Sequence, residues 1–597
     1  MNYQIVSCLI FFWGSVVGTD NVAYTQEKAD WRNICNGDVI YQHGYCDQPY
    51  VVITKDGNWL CTFTTGAGHE GNQGQYIVAA ISKDQGRTWS DPIAIESPTG
   101  PEASWAMPLI TPSGRVYVFY DYNGDNIRTL KGRKIRADML GWYCYKYSDD
   151  HGRTWSKRYR LPVRLTACDQ NNDWQGKVQI MWGIGKPITF KNKMYFGFTK
   201  LGKYMLSNGE GWFFHSDNIL IEPEASKIKW QMLPDGDCGL RAPAFGSVQE
   251  EHNLVPLSTG DLYCMYRTTI GHPCHSYSRD GGHTWTQPVY ATYTPEGRKF
   301  KHPRACPRLW KAKNGKYLFW FHNHGGKSFS DRNPAWLCGG IEIDGEIHWS
   351  QPEILLYDPN PKIRMSYPDL IEQDGRYWVT ETQKTVARVH EIDPTLLEGL
   401  WIQGQTKEVT RSGLVLALNE KELQTEKAKM PRLANLQNGG GFTIDLLLEF
   451  FAWEPNQVLL DSRDNQGKGI WLRTTETRSI QCGFSDGKNI ARWDCDPGLL
   501  HDNTQHHIVV IVDGNSKIIS YVVDGLLCDG GTSRQYGWGR FSDILGDING
   551  SKVLFINSDF HGKWKQLKIY NRYLRTSEAV TNWRAVESHV KIPALSP

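Results

Sequence analysis

Between about residue 40 and residue 395 one pattern recurs. A run of alternating apolar and polar residues meets a short turn of Gly, Asn, Asp or Lys, and a second alternating run follows. "VVITKDGNWLCTF", "PLITPSGRVYVFY", "ITFKNKMYFGF", "NLVPLSTGDLYCMYR", "LWKAKNGKYLFWF" and "LIEQDGRYWVTE" are six such units. Period-two alternation broken by turn residues predicts antiparallel hairpins. Their repetition along the chain predicts a radial array in which each unit lies within a four-stranded blade. The expected fold is therefore all-β, a β-propeller of six or seven blades with seven the preferred count, one blade being closed by both ends of the domain.

Three further segments share Ser-x-Asp-x-Gly-x-Thr-Trp: "SKDQGRTWS" from Ser82, "SDDHGRTWS" from Ser148 and "SRDGGHTWT" from Ser278. This is the Asp-box. The carboxylates of Asp84, Asp150 and Asp280 are suited to accept backbone N–H bonds across a hairpin turn, and Gly86, Gly152 and Gly282 to take the positive φ that a Cβ disfavours. Trp89, Trp155 and Trp285 are expected to bury beside the next unit. Degenerate copies end at Trp230 and Trp349. Such turns lie far from a propeller's central pocket and carry no chemistry.

After "HEIDPTLLEGLWIQ" the repeats stop. Residues 404–437 are charged and weakly patterned and are expected to form a connector. Alternation resumes in "GGGFTIDLLLEF" and in "HHIVVIVDGNSKIISYVVDGLLCDGG". This second stretch, 438–597, resembles the laminin-G and concanavalin-like jelly rolls; with no ligand motif in it, a bracing role is preferred over sugar binding. The propeller is expected to span 30–403.

Composition adds three points. The 66 basic and 64 acidic residues nearly cancel, so nothing points to nucleic acid as a partner. The 24 Trp and 28 Tyr suit a β protein that stacks on sugar rings. The apolar run Ile5 to Gly18 has the length of a signal-peptide core rather than a membrane span, and predicts a signal over 1–19 with secretion or periplasmic export. Export would permit disulfides among the 14 cysteines. No Cys/His spacing suggests a metal site, and no cofactor is expected, structural calcium being the one ion left open.

The Asp-boxes, "SYPDL" around Tyr367, and Glu250 and Glu251 ahead of a strand make the chain similar to sialidases. Those enzymes converge three arginines on one carboxylate. Here the first slot reads Asp47-Gln48-Pro49. The second, read just before the box at Ser278, is "GHPCHSYS", which offers His272 and His275 but no arginine. Sialidase activity is therefore set behind other readings.

"GYCDQPYVV", "TTGAGHEGNQGQ", "GPEASWAMPL", "FGSVQEEHNLVPL", "HPRACPRLW", "FHNHGGKSF" and "RMSYPDLIEQDGRYWVTETQK" give the propeller a resemblance to the Asp-box enzymes of polysaccharide lyase family 42 and glycoside hydrolase family 145. That resemblance implies action on L-rhamnose linked α-1,4 to D-glucuronic acid, at the ends of arabinogalactan or gum-type side chains.

A lyase on this linkage must neutralise the uronate carboxylate while the C5 proton leaves, and must protonate the departing oxygen. The chain offers His69, His252 and Tyr367 for proton transfer, and Lys186, Arg241, Arg304, Arg308 and His322 for the substrate; His324 shares strand parity with His322. Each also has a packing role available: Arg241 could brace a strand end, Tyr367 or His322 could be a satisfied core residue, and Glu250 or Glu251 could orient a histidine. In the related hydrolases, the resemblance implies, a histidine acts at the position aligned to Gln48. A glutamine cannot serve as the base there, which favours the lyase. An α-L-rhamnosidase, a sialidase-like hydrolase and a non-catalytic glycan binder are the alternatives. All these candidates precede residue 400, so the propeller alone is expected to hold the catalytic centre.

Overall fold

The computed structural model describes residues 29–587. The signal expected over 1–19 lies outside the described residues. Six antiparallel sheets follow one another along the chain. The first comprises Tyr45–Ile53, Trp59–Gly66, Tyr76–Ser82 and Ile93–Ala94. The sixth comprises Leu370–Gln373, Arg376–Thr382 and Ala387–Ile392. Asp38–Tyr41, from the start of the chain, completes that last blade by pairing with Ala387–Ile392. The closure expected from both ends of the domain is thus present. The preferred count of seven is not: each hairpin unit builds one blade, and the N-terminal strand finishes the sixth instead of beginning another.

The Asp-boxes do the expected work. In the first, Ser82 Oγ accepts from Gly86 N at 2.8 Å and donates to Asp84 at 2.8 Å. Asp84 in turn accepts from Thr88 N at 2.9 Å. Gly86, Gly152 and Gly282 have φ of 90°, 88° and 99°. A Cβ on Gly86 would stand 2.8 Å from the ring of Trp59, so the glycine also lets the turn lie on the blade.

The second domain is a sandwich of two antiparallel sheets, with Phe442, Leu446, Leu472, Phe484, Val510 and Tyr521 among the side chains of its core. Its boundary differs from expectation. Leu414–Asn419 pairs with Gly562–Tyr570, and Lys427–Lys429 pairs with Val553–Ile556, so 404–437 supplies strands to both sheets. Alternation in "LVLALN" is present, but its residues are half-buried or exposed, and that hid it as a strand.

The two domains share one apolar core. Phe319, Phe321, Trp336 and Trp349 of the fifth blade pack in a cluster with Val509, Ile518, Val522 and Trp538 of the sandwich. Polar contacts lock this seam. The buried Glu353 carboxylate accepts from the backbone N–H groups of Thr576 and Ser577 at 3.0 and 2.8 Å, capping the helix Thr576–Glu587. Trp538 donates to the Asn323 carbonyl at 3.0 Å, and Arg32 pairs with Asp513 at 2.9 Å.

The disulfides that export would permit are absent: all thirteen cysteines among the described residues are free thiols. No cluster of three metal-ligating residues, and no helix long and apolar enough to cross a membrane, occurs among the described residues.

Candidate active site

The innermost strands of three blades carry a slip in the ladder near their start: between Asp47 and Tyr50, between Ser104 and Met107, and between Glu250 and Asn253. One residue in each slip is left-handed: Gln48 (φ 53°), Trp105 (φ 61°) and Glu251 (φ 60°). Tyr367 (φ 47°), just before the inner strand of the sixth blade, joins them. Non-glycine residues pay for this conformation, and bulges of this kind re-aim a side chain where the regular pleat would bury it elsewhere. Trp105, Glu251 and Tyr367 thereby line one cavity of about 230 Å³ at the propeller axis.

Tyr367 donates to Glu251 Oε1 at 2.8 Å. Burial, followed by the Glu251 charge, pushes the phenol well above its ordinary pKa, so it is neutral and shares its proton with the carboxylate. Arg267 contacts Glu251 at 2.6 Å and Glu250 at 2.7 Å. Arg304 lies 3.4 Å from the same Glu250. Arg332 donates to Ser366 and to the Arg304 carbonyl, and its Nε is buried with no partner.

Lys384 faces the other side. Its ammonium is 2.5 Å from Asp47, 3.2 Å from Glu70 and 4.3 Å from the centre of the Tyr367 ring. Burial raises the Glu70 carboxyl, but Lys384 and Arg136 more than offset this and hold it well below the usual carboxylate range. With Arg364, the wall carries six cations, Arg136, Arg267, Arg304, Arg332, Arg364 and Lys384, against two carboxylates, Glu70 and Glu251. The surplus suits an anionic ligand. Trp105 and Trp182, 6.2 Å apart, add an aromatic surface for a sugar ring.

Of the residues singled out from the sequence, Tyr367, Glu251 and Arg304 line this cavity, and Glu250 stands directly behind it. His69 is exposed and outside the lining; its neighbour Glu70 is inside. His252 is fully buried, stacked on Tyr266 at 4.4 Å and bonded to Thr199 at 3.2 Å, and burial depresses its pKa to about 3. His322 is bonded to the Pro334 carbonyl and lies parallel to His302, with burial holding it well below its ordinary pKa. His324 contacts Gln535 of the sandwich. His272 and His275 bond to the Phe300 carbonyl and to Tyr263. These five histidines pack; they do not converge on the cavity. Arg241 sits near the buried Glu210, away from the cavity wall.

Lys186 and Arg308 belong to the opposite mouth of the axis, where Lys186 pairs with Asp369 at 2.7 Å and Arg308 donates to the Ile184 carbonyl at 2.8 Å. Gln48 is wholly buried between the two mouths, its amide directed at the Gly183 carbonyl. As a neutral group in the plug of the propeller, it contacts neither Tyr367 nor Glu251.

Sequence reasoning missed Glu70, Arg136, Arg267, Arg332 and Lys384. For Arg267 a signal existed: it ends the strand Leu262–Arg267, four residues before the segment "GHPCHSYS". Lys384 and Arg332 lie in turns between strands and carry no local mark of their role.

The BNR repeat-like domain family matches residues 220–379, from the third blade into the sixth. No curated protein matches the chain. Among solved structures, a protein of unknown function from Dyadobacter fermentans is 18% identical, covering 60% of this chain and 98% of its own, with a TM-score of 0.44. Trypanosoma rangeli sialidase, solved with 2,3-difluorosialic acid as a covalent intermediate, is 14% identical, covering 92% and 96%, with a TM-score of 0.43. A Hadza microbial sialidase is 16% identical, covering 58% and 66%, with a TM-score of 0.43.

Proposed function

We propose that the protein is a retaining glycosidase that removes a terminal, carboxylate-bearing sugar from a glycan. The observation that carries this reading is the Tyr367–Glu251 pair, 2.8 Å apart, beneath a wall of six cations. When the sugar's own carboxylate adjoins the reacting carbon, a carboxylate nucleophile would meet its charge; a neutral phenol does not. Sialidases use a tyrosine for the same step. In this reading Tyr367 attacks the anomeric carbon as Glu251 takes its proton, the bond to the aglycone oxygen breaks and the departing aglycone takes a proton from solvent, and Arg267 compensates the Glu251 charge before and after the cycle. Arg304, Arg332 and Arg364 hold the carboxylate, while Trp105 and Trp182 support the ring. Water, oriented by the ionised Glu70, then displaces the Tyr367 oxygen from the anomeric carbon and gives its proton to solvent, while Tyr367 recovers its own proton from Glu251.

The β-elimination expected from the family resemblance is placed second, because His69, His252 and His322 do not line the cavity. Tyr367 is left as its only named proton acceptor, and the cations would neutralise a uronate equally well. The products separate the two. Aryl glycosides of acidic sugars, among them an α-N-acetylneuraminide and a β-glucuronide, and a rhamnosyl-glucuronate are incubated with the protein. Release of an acidic sugar without ultraviolet absorbance of an unsaturated uronate supports hydrolysis; that absorbance, with free rhamnose, supports elimination. Turnover of neutral glycosides only would overturn both.

A further inference from the structure

We infer that the hairpin formed by Thr129–Leu130 and Arg133–Lys134 is an anion-binding subsite at the rim of the cavity. It would take a carboxylate or sulfate on the sugar next to the one removed. What fills the cavity itself rests on the function proposed above.

The segment "RTLKGRKIR", 128–136, has five cations in nine residues and no acid, in a chain whose charges otherwise nearly cancel. Its two ends are neutralised and fixed. Arg128 pairs with the buried Glu102, and Arg136 with Glu70 at 2.7 Å and Asp138 at 2.6 Å. Lys131, Arg133 and Lys134, between them, are exposed and pair with no carboxylate among the described residues. Solvation alone is served by mixed signs; a tip of one sign, carried on a fixed stem, concentrates an attractive field.

The turn points the same way. Lys131 and Gly132 both have positive φ, 48° and 74°. That is the conformation of a two-residue hairpin turn, in which asparagine or glycine is favoured at the first place. A lysine stands there instead, at a backbone cost, and puts its ammonium at the tip.

Position joins the tip to the cavity. Arg136 belongs to the cavity wall and stacks over Trp105 at 5.9 Å. Two residues, about 7 Å of chain, separate it from Lys134. A Cβ on Gly71 would stand 2.6 Å from the Arg136 side chain, so the stem lies against the loop that carries Glu70. The neutralised Arg136 thus anchors the stem in the cavity wall and holds the unpaired cations of Lys131, Arg133 and Lys134 at its rim.

The test compares the wild type with the triple variant Lys131→Ala, Arg133→Ala, Lys134→Ala. Calorimetric binding uses three probes: a heparin-derived oligosaccharide for sulfate, an oligogalacturonate for carboxylate, and a dextran oligomer as the neutral control. The expected result is binding of at least one anionic probe, weakened about tenfold or more in the variant and less dependent on salt there, and no binding of dextran. The stronger anionic probe names the group. In parallel, kcat/KM on an acidic-sugar aryl glycoside, which has no second sugar, is expected to be equal in the two proteins. Equal binding of the anionic probes by both proteins, or none by the wild type, overturns the subsite. Absence of turnover with intact binding overturns the proposed function and leaves the subsite standing.

Discussion

Lys384, in the last blade, is seated 2.5 Å from Asp47, in the first, and the two are buried together. The acid draws a lysine across from the neighbouring blade, and the lysine reaches Glu70 as well.

Removing the lysine alone should strand a buried carboxylate. Lys384→Met is expected to destabilise the protein by about 3–5 kcal/mol, and adding Asp47→Asn to recover much of that loss. Urea unfolding of the single and double variants measures both. An unchanged midpoint in Lys384→Met would mean that the pair contributes nothing.

Tyr367→Phe removes the reacting oxygen and leaves Glu251 paired with Arg267. Turnover is expected to fall by about two to four orders of magnitude with thermal unfolding little changed. A fluorinated acidic sugar should add its mass to the peptide containing Tyr367 in the wild type and not in the variant. Label on a carboxylate elsewhere would move the nucleophile.

Burial holds His252 and His302 to a pKa of about 3 and His275 to about 4, against about 6.5 in the unfolded chain. Above pH 6.5 these rings are neutral in both states and contribute nothing to pH dependence. Below it the unfolded chain takes up protons that the folded protein refuses, so stability falls as pH drops toward about 4, by up to about 1.4 kcal/mol per pH unit for each ring. Unfolding midpoints at pH 7.5 and 5.5 should differ in that direction, and His275→Gln should narrow the gap. A protein more stable at the lower pH would contradict the assignment.

The candidate site lies in the propeller, but the propeller is not expected to stand without its partner domain. Cutting away 404–597 would bare the apolar cluster around Trp336 and Trp349 and leave Glu353 buried without the backbone donors of Thr576 and Ser577. Residues 29–403 alone should be poorly soluble and lack near-ultraviolet circular dichroism. A well-folded truncation would show the seam to be dispensable.

Blades and boxes were legible because hairpin alternation and the Asp-box turn are local: Ser82, Asp84 and Gly86 need only one another. Tyr367 and Glu251 were legible as residue types at strand starts. The histidines were over-read because a residue at a blade end faces either the axis or the neighbouring blade, and period-two parity does not say which. The slips before Met107 and Asn253 change that parity within the strand, and no residue type announces them. Lys384 was invisible because its significance depends on Asp47, which lies more than three hundred residues earlier.

The strand that closes the ring, Asp38–Tyr41, pairs with Ala387–Ile392, about 350 residues further on. During synthesis the first blade therefore emerges with an open flank, and it stays open until the sixth blade has left the ribosome. At about 5–20 residues per second this interval lasts some tens of seconds. Over that time Asp38–Tyr41 has no partner strand, and an unpaired strand invites pairing with a neighbouring nascent chain. Slow completion of the ring thus adds to the demand this protein makes on the folding machinery of the cell that produces it.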